Sequence, residues 1–288
     1  MMDIYEEIAS RTAKTLVEAS TTFRPDQLEA YRRAAASEQN PNSKWVLESI
    51  LENAEVAEKT KFPLCDDTGI PHVLVEIGDE AVLPAGFLKA VEDGVARGLR
   101  ELPGRPMAVK GNDLERLSQS AGLYEDSGAL AMAPVQVRRT AGDEVVLTVL
   151  MYGGGPEIRG KTLRVFHKHS ADVVIDEMIA WGKEAAKLLG CQPCILAFGI
   201  GRSNLEAASL GLEAMAKGDF SRQSEMEQRI TEGVNETGIG ALGLGGDTTV
   251  LGTFVKVGPQ RASGVRVVSL RTGCCFDPRR ATTTFKFQ

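Results

Sequence analysis

Apolar residues recur at helical spacing through the first sixty positions of the chain. Ile4, Ile8, Leu16 and Val17 form one stripe, Leu28 and Tyr31 a second, and Trp45, Val46, Ile50, Leu51 and Ala57 a third. Pro25 with Asp26 breaks the first stripe and starts a new helix, and Pro41 with Asn42 opens the third. Residues 1–61 therefore read as a helical lead-in. At Phe62 the texture changes. PLCDDTGIPHVLVEIG is a turn-rich loop, Cys65 to Pro71, feeding a strand from His72 to Ile77.

Beyond it, 84–101 has the pattern of an amphipathic helix, and 102–131 has no sustained period and reads as a long loop. Strands are predicted at Ala133–Arg138, Glu144–Tyr152, Cys194–Phe198, Val250–Val257 and Gly264–Leu270. Helices are predicted at Ala171–Leu189, Leu205–Lys217 and Arg222–Asn235. The order is not a regular βαβ alternation. It predicts a mixed α and β (α+β) fold, with the lead-in followed by one mixed domain over 62–288, in one body or two lobes.

Composition narrows the function. Of the 288 residues 43% are hydrophobic and 25% charged, with a net charge of −6 and no basic block, which argues against a nucleic-acid partner. No run approaches the ~20 apolar residues that span a bilayer. The opening MMDIYEEIAS lacks the basic and apolar regions of a signal peptide, so a cytoplasmic location is expected. In that compartment the five cysteines, Cys65, Cys191, Cys194, Cys274 and Cys275, are buried, ligating or catalytic rather than disulfide-bonded.

One motif misleads. Gly155 to Thr162 matches the P-loop pattern G-x-x-x-x-G-K-[ST] and follows a predicted strand. A nucleotide site would need a helix to begin at Lys161, so that backbone amides meet the phosphates. Instead TLRVFHKHS is rich in β-branched and aromatic residues, and helical pattern resumes only near Ala171. The GIG and GLGG segments lack the context of a dinucleotide fold. His167 and His169 read as surface or satisfied polar residues.

The cysteines leave alternatives. Cys191-Gln-Pro-Cys194 alone suggests a redox dithiol or half a zinc site, but adjacent Cys274 and Cys275 are a poor bite for one tetrahedral ion. The other reading is an iron–sulfur cluster held from three distant loops. Thiolates are its natural ligands, and three of them leave one iron open to act as a Lewis acid.

The motifs carry a resemblance. PLCDDTG resembles the PLCQDTG loop of the class I fumarase and L-tartrate dehydratase family, and GCQPCILAFGIG resembles its NPCPPxVVGVGIGG segment. GIGALGLGGDTTVLG is similar to LGIGPMGLGGKTTVL, and CCFDPRRATTTF to CWAARRATxxF. The resemblance implies a 4Fe–4S cluster on Cys65, Cys191 and Cys275, with Cys191 aligned in preference to Cys194 and Cys275 in preference to Cys274. It implies a hydro-lyase acting on a small carboxylate, and an α subunit whose β partner supplies the catalytic base in an αβ or α2β2 assembly.

The same resemblance places substrate contacts at Asp66 and Asp67, at Arg105 in GRPMAV as a carboxylate clamp, and at Gly155 in MYGGGPEIRGK. The chain departs from the family pattern at Asp66, which stands for Gln. Tyr152, Pro156, Arg202 and Asp247 likewise stand for Lys, Ser, Gly and Lys.

Overall fold

The structure is a computed structural model that describes residues 3–287. It divides the chain into two compact units, and neither is a continuous stretch of sequence. The first takes the chain up to Thr22, Val56–Tyr152 and the part from Arg279 onward; the second takes Phe23–Glu55 and Gly153–Pro278. The helical lead-in is thus shared between them.

In the first unit, α1 (Ile4–Thr21) and α4 (Phe87–Glu101) cover a sheet of β1 (Ile70–Gly78), β2 (Gln136–Thr140), β3 (Glu144–Tyr152) and β8 (Arg279–Lys286). The strand order is β2-β1-β3-β8, with β1 parallel to β2 and antiparallel to β3, and β3 antiparallel to β8. Val73 and Val75 of β1 and Val145, Leu147, Val149 and Met151 of β3 are fully buried at alternate positions, the period of a strand facing a core. They meet Val91, Val95 and Leu99 of α4 and Ile8 and Leu16 of α1.

The two helices approach closely because α4 offers glycines. A Cβ on Gly94 would lie 2.6 Å from Ala9 O, and one on Gly98 would lie 3.0 Å from Ala13 O. Glycine costs helix propensity at such positions, and here the close crossing offsets that cost.

The second unit holds α2 (Pro25–Ser37), the start of α3 (Pro41–Thr60), and a sheet of β4 (Lys161–Phe166), β5 (Cys194–Gly201), β6 (Val250–Val257) and β7 (Val265–Gly273). Its order is β4-β7-β5-β6, with only β5 and β6 parallel. Every residue of β5 is buried, as its unbroken apolar run CILAFGIG suggests. Helix α7 (Ala171–Leu188) sends Met178 and Trp181, and α9 (Glu225–Asn235) sends Ile230 and Val234, onto Leu196 and Phe198 of that strand. Helix α8 (Asn204–Lys217) sits against the same strand at glycines, since a Cβ on Gly199 would lie 2.0 Å from Ala207 O.

The α+β expectation holds, and the helices begin and end within a few residues of their predicted limits. The long loop does not hold throughout. Asp113–Ser118 is a short helix, α5, closed by a capping box in which Asn112 accepts from Glu115 N and Glu115 returns to Asn112 N. Two strands lay outside the predicted set, β4 and β8. Their alternation is muted by threonines and arginines, and both are defined by antiparallel partners far along the chain. No helix among the described residues is long and apolar enough to cross a membrane.

Candidate active site

The first set of expected site residues lies on one loop of the first unit. Leu64 anchors it, buried and donating its N–H to Ser20 O at 2.9 Å. From there the chain bends through Cys65, Asp66 and Asp67. Arg279, only 2% exposed, donates from Nη1 to Asp67 O at 2.6 Å and to Thr68 O at 3.4 Å. Gly69 follows in the left-handed region at φ +80°, and a Cβ there would lie 2.8 Å from Arg279 Nη2.

The loop is tied to the next one as well. Thr68 Oγ1 accepts the Arg105 N–H at 2.9 Å, and a Cβ on Gly104 would lie 2.7 Å from that hydroxyl. Arg105 and Asp66 then meet as an ion pair, Nη1 to Oδ2 at 3.5 Å, with both side chains largely in solvent. Asp67 turns the other way, and its carboxylate accepts Gly69 N–H at 3.1 Å as an Asx turn. Cys65 is half-buried, its sulfur 3.9 Å from Asp66 Oδ1. The two loops therefore present Cys65, Asp66 and Arg105, while Asp67 serves the backbone of its own loop.

In the second unit the structure separates the two cysteines of the C-x-x-C. Cys194 opens β5, is wholly buried, and burial pushes its thiol up to about 12. Cys191 stands half-buried in the loop before it. There it meets Cys274 and Cys275, whose thiols hydrogen-bond to it and pull its own down to about 4; Cys275, as a donor in this group, is pushed up. The backbones are tied too, Cys275 N–H donating to Cys191 O at 3.0 Å.

The 274–278 turn is held from behind. Asp277, fully buried, accepts Cys274 N–H at 2.8 Å. Gln27 Nε2 donates to Asp277 O at 3.0 Å, and the Tyr31 hydroxyl donates to Cys275 O. Burial raises that hydroxyl well above its ordinary value, so it stays a donor. The peptide bonds Gln192–Pro193 and Asp277–Pro278 are both cis.

The glycine-rich stretch 238–249 is built around buried polar groups that the sequence reading missed. Glu38, 4% exposed, accepts the N–H groups of Asp247 and Thr248 at 3.0 and 3.1 Å and that of Asn40 at 3.0 Å. Burial alone would raise its carboxyl, but these backbone donors outweigh it and the value is lowered. Ser43 Oγ accepts Ala241 N–H at 3.0 Å and donates to Gly245 O. The available signal was the polar corner SEQNPNS, which separates two helices and cannot announce what it binds 200 residues away.

Lys161 begins strand β4, not a helix, and pairs with Glu184 at 2.5 Å over the Trp181 ring. That removes the P-loop reading. Gly155 lies in a one-turn helix, α6 (Gly154–Glu157), where a Cβ would meet nothing within 4 Å. Nothing among the described residues therefore requires glycine there. His167 is satisfied, with Nε2 against Ser263 O at 2.6 Å and Nδ1 accepting His169 N–H at 3.0 Å. Among the described residues no group of three or more His, Cys, Asp or Glu side chains is arranged to hold a metal ion.

The sequence matches the profile of the family described as Fumarate hydratase (Fumerase) over residues 9–284. The chain belongs to the fumarate hydratase family. It is a hydro-lyase of the fumarase and tartrate dehydratase kind. Among curated relatives, the chain named "Putative L(+)-tartrate dehydratase subunit alpha" in Methanocaldococcus jannaschii is 28% identical over 280 residues, 93% of this chain and 94% of that one. The L(+)-tartrate dehydratase subunit alpha of Escherichia coli is 24% identical over 260 residues, covering 88% and 83%. That of Shigella sonnei gives the same figures.

Proposed function

We propose that this member of the family is the cluster-binding α subunit of a hydro-lyase, with Cys65, Cys191 and Cys275 holding a 4Fe–4S cluster. The observation that carries the reading is the grouping in the second unit, where Cys191 stands with Cys274 and Cys275 and its carbonyl accepts the Cys275 N–H at 3.0 Å. An all-sulfur donor set is soft and suits iron–sulfur chemistry better than a hard cation. Cys194, sunk in the core with its proton retained, is ill suited to ligation. When bound, the group would supply one iron without a protein ligand, a Lewis acid for a substrate hydroxyl.

The chain's own residues then position and orient. Arg105 and Asp66 present opposite charges beside Cys65. Gly155 leaves backbone open to close approach, and Asp67 fixes the loop that carries Cys65 and Asp66. The reaction is the reversible hydration or dehydration of a small hydroxycarboxylic acid. Its base comes from a β subunit in an αβ or α2β2 assembly, consistent with relatives that are named as α subunits. The working compartment is the cytoplasm, and residues 62–288 form the cluster-binding part.

Anaerobic purification tests this. The protein should be brown, with iron and acid-labile sulfide in near-equal amounts. Cys65→Ser, Cys191→Ser and Cys275→Ser should each bleach it, while Cys194→Ser and Cys274→Ser keep the colour. Colourless protein carrying zinc would overturn the proposal.

A further inference from the structure

We infer that the Asp66–Arg105 pair selects a substrate whose far end is a neutral hydroxyl, so that the acid turned over is a polyhydroxy monocarboxylate and not a dicarboxylate. This rests on the hydro-lyase reading above and specifies its substrate class. Asp66 and Arg105 are paired at 3.5 Å with side-chain exposures of 85% and 57%, so their charged ends are open to whatever binds over the Cys65 loop. Their backbones are held by the scaffold. Thr68 Oγ1 fixes the Arg105 backbone, and Arg279 fixes the carbonyls that follow Asp66.

The remaining charges of the loop are committed elsewhere. Arg279 is 2% exposed and donates to backbone, and Asp67 accepts from Gly69 N–H. What the loop offers a ligand is one guanidinium and one carboxylate, a net charge of zero.

A second carboxylate arriving at Arg105 would have to share it with Asp66. Their repulsion grows once substrate excludes water and lowers the local dielectric. A hydroxyl has no such conflict. It accepts from the guanidinium with a lone pair and donates its proton to the Asp66 oxygen, using both members at once. A site that hydrogen-bonds a hydroxyl from both sides also discriminates strongly, because an analogue without it leaves those groups unpaired.

The test uses the α chain loaded with its cluster and assembled with its partner subunit. The probes are threonate and tartrate, four-carbon hydroxy acids that differ at one end by a hydroxymethyl in place of a carboxylate. Dissociation constants are read by calorimetry, so the ratio is defined whether or not either acid turns over. The wild type should prefer threonate by about tenfold or more. Asp66→Gln should move that ratio toward tartrate by a similar factor, with iron and sulfide unchanged. Tartrate bound better by the wild type, a ratio indifferent to Asp66→Gln, or binding of neither probe would overturn the inference and leave the hydro-lyase reading standing. Absence of iron and sulfide would instead strike at that reading.

Discussion

The Cys65 loop of the first unit and the glycine-rich 238–249 loop of the second are held in place by opposite charges. Arg279, a buried cation, grips the first through the carbonyls of Asp67 and Thr68. Glu38, a buried anion, grips the second through the N–H groups of Asp247 and Thr248. Backbone dipoles offset part of the cost of burying each charge. The two anchors draw on different backbone groups. One spends carbonyls on its anchor and the other spends amides, so neither anchor could serve the other loop.

The largest expected effect follows from removing the cation. Arg279→Met should cost roughly 3 kcal/mol in urea unfolding, because it leaves buried carbonyls without donors. A loss below about 1 kcal/mol would mean that water replaces the guanidinium and that the comparison fails on that side.

Gly240→Ala should cost nearly as much and more than Gly69→Ala. Both glycines have positive φ, but the added Cβ would meet Gly245 O at 2.1 Å in one case, and in the other the end of the Arg279 side chain at 2.8 Å and the Tyr152 backbone only at 3.0 Å. Equal losses in paired melts would show that the surroundings of Gly69, Arg279 and the Tyr152 backbone together, yield no more than the 238–249 loop does.

Glu38→Gln keeps the shape and removes the charge, at a cost of about 2 kcal/mol near neutral pH. The sign with pH is fixed by the lowered carboxyl. Its contribution is present above the ordinary glutamate value and is lost as pH falls through the lower folded value. Wild type and variant should therefore converge in acid, and a gap that stays constant would show that shape, not charge, holds the loop. The smallest effect is expected at Asp66→Gln. The pair it breaks is exposed, so stability should change by less than about 0.5 kcal/mol, while substrate preference shifts.

Much of the fold could be read from the chain because its helices carry strong amphipathic stripes, as in α4 with Val91, Val95 and Leu99. The strands that escaped have their burial decided by distant partners. In β8, Ala281 and Phe285 are buried but threonines intervene, and pairing with β3 defines the strand. The candidate site was legible where residues of distinctive chemistry sit in distinctive turns, Cys65 and the two cysteine pairs above all. The separation of Cys194 from Cys191 depends on which way β5 faces, which no local pattern states. Glu38, Ser43 and Arg279 stayed hidden because they act on backbone far away in sequence, and any backbone accepts such a bond.

Two thiols of a single C-x-x-C decide whether a cluster is held here. The most direct measurement is the visible absorbance of anaerobically purified Cys191→Ser against Cys194→Ser, each normalised to protein. The thiol placed among Cys274 and Cys275 should be indispensable, so Cys191→Ser is colourless and Cys194→Ser keeps the brown cluster band of the wild type. A brown Cys191→Ser, or a wild type with no band for either variant to lose, would contradict it.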